Sequence, residues 1–198
     1  QRVTFLRGKQ DDYERYDLWE YEIASGKTQM LVNSDDLHQG DEQLSDEEKA
    51  RRERLRLSGS GIVDYSWSSD GKALLFPLAG DVYYYRLADG KHAASVKKLL
   101  DTPEFETDIQ LSPNSTYISY IREQNLFVLN IETGKETAIT RQGGGHIKYG
   151  MAEFVAQEEM DRLTGYWWSP DERHIAFTRV DETPVSYTHL TLPTNGCV

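Results

Sequence analysis

The chain has 198 residues, with 22 Lys and Arg against 33 Asp and Glu, for a formal net charge of −11. That length admits one ordinary domain with a real core, or a piece of a larger one. The acidic balance excludes nucleic acid as a partner, because phosphate needs a basic footprint, and suits a cationic ligand better. A single cysteine, Cys197, excludes internal disulfides and a cysteine-type metal site.

Gln1 is not an initiator, and no positively charged segment with an apolar stretch precedes the first strand-like run. No apolar run approaches membrane-spanning length. Short alternating runs, broken by Gly, Asp, Asn and Pro, predict strands almost throughout and only one convincing helix. A strand ending in a turn occurs at Asp17-Leu-Trp-Glu-Tyr-Glu-Ile-Ala-Ser-Gly-Lys27 and returns from Asp81 to Lys91 and from Asn125 to Lys135. A second pattern, Trp or Leu followed by Ser-x-Asp/Asn and then a strand, starts at Trp67, Leu111 and Trp168. Trp67 to Leu111 is 44 residues, and Asp81 to Asn125 is again 44. A period of about 40–45 residues with four short strands per unit is that of a β-propeller blade. A β-sandwich does not explain a fixed period. The predicted fold is therefore all-β, a partial β-propeller of about three to four blades over residues 1–184, with a short helical insertion.

Two intervals depart from the period, and insertions in repeat proteins map to loops that carry function. Asp17 to Asp81 is 64 residues, which places one insertion near residues 37–61. Within it, Ser45-Asp-Glu-Glu48 reads as a capping box, and Lys49, Arg51, Arg52, Arg54 and Arg56 follow towards the C-terminal end, as the helix dipole favours. With so few apolar positions this helix must dock on something. It either decorates the rim or holds an arginine over a cavity. Leu111 to Trp168 is 57 residues, which places the second insertion near residues 150–165.

The second insertion carries Glu158 and Glu159 a few residues before Tyr166, Trp167 and Trp168. Neighbouring carboxylates that converge on one point need a cation there, or one of them takes a proton. No His or further carboxylate stands at metal-ligand spacing, and a glycosidase pair is usually drawn from separate strands. An ammonium group fits best, beside the alternative of two solvated glutamates. No cofactor is expected. Gly143-Gly-Gly-His-Ile-Lys148 is too lax for a phosphate loop and reads as a turn.

The segment Ala152-Glu-Phe-Val-Ala-Gln-Glu-Glu-Met-Asp-Arg162, followed by Gly165-Tyr-Trp-Trp-Ser-Pro-Asp171, resembles the double-glutamate segment of the dipeptidyl peptidase IV family. Gly61-Ile-Val-Asp-Tyr-Ser-Trp67 and the arginine-rich helix before it resemble bacterial members. The resemblance spans roughly residues 2–184. It implies a serine exopeptidase of the prolyl oligopeptidase clan, with an eight-bladed N-terminal propeller and a C-terminal α/β-hydrolase domain. Such enzymes release X-Pro or X-Ala dipeptides from peptides with a free N-terminus. It further implies that Glu158 and Glu159 grip the substrate α-ammonium, and that an arginine from the helical insertion contacts the substrate backbone, with Arg56 preferred over Arg52 and Arg54. Periplasmic or secreted location and a homodimeric parent are further expectations. No Gly-x-Ser-x-Gly nucleophile elbow occurs, since Leu57-Ser-Gly-Ser-Gly61 has the wrong spacing. The chain alone is thus expected to be inactive. A non-catalytic, TolB-like binding propeller is the alternative.

From Val185 the strand-and-turn logic stops, and residues 185–198 read as a non-native tail, the read-through of an adapter after a truncated gene. In a truncated propeller, Leu74, Phe76, Ile118, Tyr120, Ile175 and Phe177 are expected to need a neighbouring blade.

Overall fold

The computed structural model describes residues 1–184, apart from Asp41, Gln43, Ser45, Leu55 and Pro103, and for Asp46, Glu47, Ala50 and Arg51 it describes the backbone alone. The Ser45 half of the expected capping box and everything from Val185 onward lie outside the described residues.

The Ser-x-Asp/Asn signature folds as a side-chain-stapled turn. Ser68 Oγ donates to Asp70 Oδ1 at 2.7 Å and accepts from the Ala73 amide at 2.8 Å, while Asp70 Oδ1 accepts from the Lys72 amide at 3.0 Å. Ser169 and Asp171 repeat the arrangement, with the His174 amide on Ser169 Oγ at 3.0 Å and the Arg173 amide on Asp171 Oδ1 at 3.2 Å. Each turn ends in a left-handed residue, Gly71 at φ +66°, Ser115 at +58° and Glu172 at +58°, which reverses the chain into the next strand.

These turns and the Gly-containing hairpins divide the strands into consecutive antiparallel sheets. The first holds β1 (Arg2–Gly8), β2 (Arg15–Glu22) and β3 (Lys27–Val32). The first insertion follows, with α1 (Ser34–Leu37), α2 (Asp46–Arg54) and β4 (Ser60–Gly61), the last pairing in parallel with β2. The second sheet runs β5 (Ser66–Trp67), β6 (Ala73–Leu78), β7 (Asp81–Arg86), β8 (Ser95–Leu100). The third runs β9 (Thr107–Leu111), β10 (Tyr117–Arg122), β11 (Asn125–Asn130), β12 (Glu136–Ala138). Two further pairs follow: β13 (Ile147–Tyr149) with β16 (Arg179–Asp181), and β14 (Tyr166–Trp168) with β15 (Ile175–Phe177). A short helix, α3 (Phe154–Glu159), lies in the loop between β13 and β14. Sequential four-stranded sheets with apolar layers between them make this a partial β-propeller.

The period-2 alternation of a strand explains the layers. In β6, Leu74, Phe76 and Leu78 join Leu18, Val32 and Ile62 of the first sheet's side, whereas Ala73 and Leu75 join Ile118, Tyr120 and Leu129 of the third. Both faces of the second sheet are thus covered. Ile121 and Leu126 pack on Tyr166 to begin the next layer. Leu74, Phe76, Ile118 and Tyr120 are each 0% exposed, so the expectation that these four lack a neighbour is corrected: the adjacent sheets within the chain already cover them. Ile175 also packs on the third layer, and of the six only Phe177 is open, at 39% exposure.

Polar latches cross the apolar layers. Tyr65 donates to the Thr4 carbonyl at 2.8 Å and Trp67 Nε1 to Thr4 Oγ1 at 3.1 Å. Two blades on, Tyr166 donates to the Ser119 carbonyl at 3.1 Å and Trp168 Nε1 to Ser119 Oγ at 2.8 Å. Thr4 pairs with Glu20 on β2 and Ser119 with Val128 on β11, the same place in their sheets. In the blade between, Ile109 and Leu111 pack with Leu75 in the apolar layer instead.

Candidate functional site

Arg54 of the first insertion and Glu158 of the second meet across 104 residues of sequence, Arg54 Nε donating to Glu158 Oε1 at 2.6 Å. Each side of this contact is set by its own insertion.

The helix α2 has almost no apolar face, and it docks through charge. Arg52 Nε donates to Glu48 Oε1 one turn earlier at 3.0 Å, and its Nη2 to Glu42 Oε2 at 3.0 Å. The Arg52 side chain is 8% exposed and Glu42 4%. Glu42 Oε1 in turn accepts the Gly61 amide at the start of the return to the second sheet. Arg52 is therefore scaffold, and Arg54, two residues on, faces the other way towards α3. Arg56 lies beyond the helix end at φ +53°, exposed to solvent. Of the three arginines, the one brought to the paired glutamates is Arg54, where Arg56 was preferred. The helical turn stops at Arg54, so extrapolating a helix face through residue 56 fails.

The second insertion is zipped at its base by two glycines. Gly165 donates to the Gly150 carbonyl at 3.1 Å, Gly150 to Thr178 at 2.9 Å, and Thr178 back to Gly165 at 2.8 Å. A Cβ on Gly165 would stand 2.4 Å from the Met151 carbonyl carbon, so no larger residue fits that crossing. Above this base, α3 buries only Ala156, while Phe154, Val155, Glu158, Glu159 and Met160 face solvent. Among the described residues, Glu159 has no ion-pair partner. Glu158 and Glu159 are thus adjacent, exposed and served by one arginine.

A cleft of about 820 Å³ opens beside Arg54, and neither Glu158 nor Glu159 lines it. Arg54 lines it from α2, Phe154, Gln157 and Asp161 from the second insertion, and Asp108 and Gln110 from β9. Gln110 Nε2 donates to Asp108 Oδ1 at 2.9 Å and to Thr164 Oγ1 at 2.8 Å, joining the wall to the insertion. Beneath, Tyr166 is fully buried with its hydroxyl on the Asp108 and Ser119 carbonyls, and burial pushes its pKa well up. The lining sets three carboxylates, Asp108, Asp161 and Glu182, beside two cations, Arg54 and Lys148, and can receive a cationic group that also offers a carbonyl to the guanidinium.

Among the described residues, no serine hydroxyl is hydrogen-bonded to a histidine ring: His92 faces Asp89, and His174 meets Ser169 through its backbone amide.

Fold and site together define a propeller segment whose two insertions converge on a double-glutamate helix. The family described as "Dipeptidyl peptidase IV (DPP IV) N-terminal region" matches residues 68–196, more than half of the chain, and the chain belongs to this family. It is 28% identical over 172 residues to "Dipeptidyl peptidase 8" of Mus musculus, covering 75% of this chain and 19% of that protein. It is also 28% identical over 181 residues to the Pyrenophora teres protein named "Probable dipeptidyl-aminopeptidase B", covering 83% of this chain and 20% of that one. The chain thus spans about a fifth of the length of these relatives. The fold is shared with the crystal structure of Porphyromonas gingivalis dipeptidyl peptidase 4, at a TM-score of 0.58 and 21% identity, over 91% of this chain and 26% of that one.

Proposed function

We propose that this chain is the amine-recognising propeller part of a serine exopeptidase that releases X-Pro and X-Ala dipeptides from free peptide N-termini. The observation that carries the reading is the 2.6 Å contact between Arg54 and Glu158, which assembles both insertions into one acidic corner beside the cleft. Glu158 and Glu159 hold the substrate α-ammonium, and a charge at the N-terminus fixed there places the scissile bond two residues in. Arg54 is the arginine positioned to contact the substrate backbone carbonyl. Before substrate arrives, Arg54 balances part of the charge of the carboxylate pair.

On this reading the nucleophile belongs to an α/β-hydrolase domain of the parent protein, residues 1–198 alone release no dipeptide, and the parent is a periplasmic or secreted homodimer. The test uses the full-length protein and Ala-Pro and Gly-Pro chromogenic substrates. Glu158→Gln and Glu159→Gln each lower kcat/KM by about tenfold or more, the effect of removing one partner of a charge-assisted contact. Unchanged turnover in both variants would sink the clamp.

A further inference from the structure

Helix α3 has six residues and one buried side chain, Ala156, far too little to hold a helix in water. Its N-cap residue, Glu153, makes no capping hydrogen bond. The Glu153 carboxylate is turned instead to Arg162, whose Nη2 donates to Glu153 Oε2 at 2.8 Å. The same guanidinium donates through Nη1 to the Thr164 carbonyl at 3.1 Å and lies 6.0 Å from the Trp167 ring centroid. The Arg162 backbone amide donates to the Ala156 carbonyl at 3.0 Å. One residue thereby ties the start of α3, its end and the strand that follows. Gln157 adds a single tie, its Nε2 on the Ala152 carbonyl at 2.6 Å.

We propose that Arg162 is a positioning residue for amine recognition, acting through α3 to hold Glu158 and Glu159 beside Arg54. The proposal rests on the clamp reading above. Two adjacent carboxylates repel each other, and nothing apolar opposes that repulsion on the exposed face of α3. The planar fork of Arg162, spread over three acceptor surfaces, opposes it. A lysine carries the same charge but cannot bridge a carboxylate and a carbonyl while lying over an indole. The geometry therefore calls for guanidinium, not merely for positive charge.

The experiment compares Arg162→Lys and Arg162→Met in the full-length protein, with Glu158→Gln and Glu159→Gln beside them. For Ala-Pro chromogenic substrate both Arg162 variants raise KM about tenfold to a hundredfold, as loosened positioning does, with kcat within about twofold. The labelling rate of the nucleophilic serine by a fluorophosphonate, which has no amine, and the melting temperature stay at wild-type values. Amide hydrogen exchange at Gln157 and Met160 accelerates. Normal KM in the Arg162 variants, while the glutamate variants are impaired, overturns this inference and leaves the clamp standing. Normal KM in the glutamate variants removes the clamp and the inference with it. Full rescue by lysine, or parallel loss of labelling and melting temperature, overturns the positioning role.

Discussion

At the scale of single residues, Arg52, Arg54 and Arg56 have three different surroundings. Arg52 is enclosed by Glu42 and Glu48, Arg54 reaches Glu158, and Arg56 faces solvent. In the full-length protein, Arg54→Ala lowers kcat/KM for dipeptide substrate more than Arg56→Ala, whereas Arg52→Ala mainly lowers the melting temperature, because it takes the shared guanidinium away from two buried carboxylates. Steady-state kinetics and a thermal melt on the three variants separate these outcomes. The sequence showed five basic residues within eight positions and the glutamate pair, but not which arginine would meet them. That depended on where the helix ended and on the internal pairing that removed Arg52. Glu106 is a second informative residue. Its side chain is 0% exposed, with Oε1 accepting from Thr102 at 2.6 Å and Oε2 buried without a hydrogen bond. Burial raises its pKa above the ordinary 4.5, against the pull of Thr102 and Arg122. The folded value exceeds the unfolded one, so its contribution to stability is full below pH about 4.5 and is lost as pH rises through the folded value. Glu106→Gln does not titrate. Its melting temperature minus that of wild type therefore rises with pH above about 4.5, and a signed difference that stays flat or falls between pH 4.5 and 7 contradicts this.

At the scale of elements, the strand repeats were legible because each one states its own turn. In all three copies the Ser hydroxyl accepts the amide five residues on and the residue after Asp or Asn takes the left-handed conformation. The Tyr-x-Trp latches were not legible in the same way, since their acceptors lie on another blade, 61 to 63 residues away for Tyr65 and Trp67 and 47 to 49 for Tyr166 and Trp168. Once seen, the signal is plain: Thr4 and Ser119 stand where Leu75 stands in the second sheet, and that sheet's successor carries Ile109 and Leu111 in place of Tyr and Trp. Trp168→Phe removes the 2.8 Å donor from the Ser119 hydroxyl and costs about 1 kcal/mol, as does Ser119→Ala. Because the two remove one bond, the double variant costs less than the sum of the singles. Additive losses in a denaturant melt would show that the latch contributes nothing of its own.

At the scale of the whole molecule, the chain presents two faces that its own sheets do not cover. On the first sheet, Val3 stands opposite Tyr21, Phe5 opposite Trp19, and Trp19 opposite Met30, all on the side away from Leu6, Leu18 and the second sheet. Val3 is 51% exposed and Met30 44%. At the other end, Trp167 opposite Ala176 is 45% exposed. Exposed apolar faces of this kind drive association. Expressed by themselves, residues 1–198 self-associate and bind a hydrophobic dye, and light scattering that shows a monodisperse monomer contradicts the prediction. The proposed amine clamp lies at the corner where the two insertions meet. Its most direct measurement is a double-mutant cycle in the full-length protein, with a dipeptide substrate and its des-amino analogue against wild type and Glu159→Gln. The amine clamp requires a coupling between the substrate amine and this carboxylate on the order of 2 kcal/mol, about thirtyfold in kcat/KM. A coupling of zero, with the des-amino analogue losing as much as the amine on mutation, would contradict it.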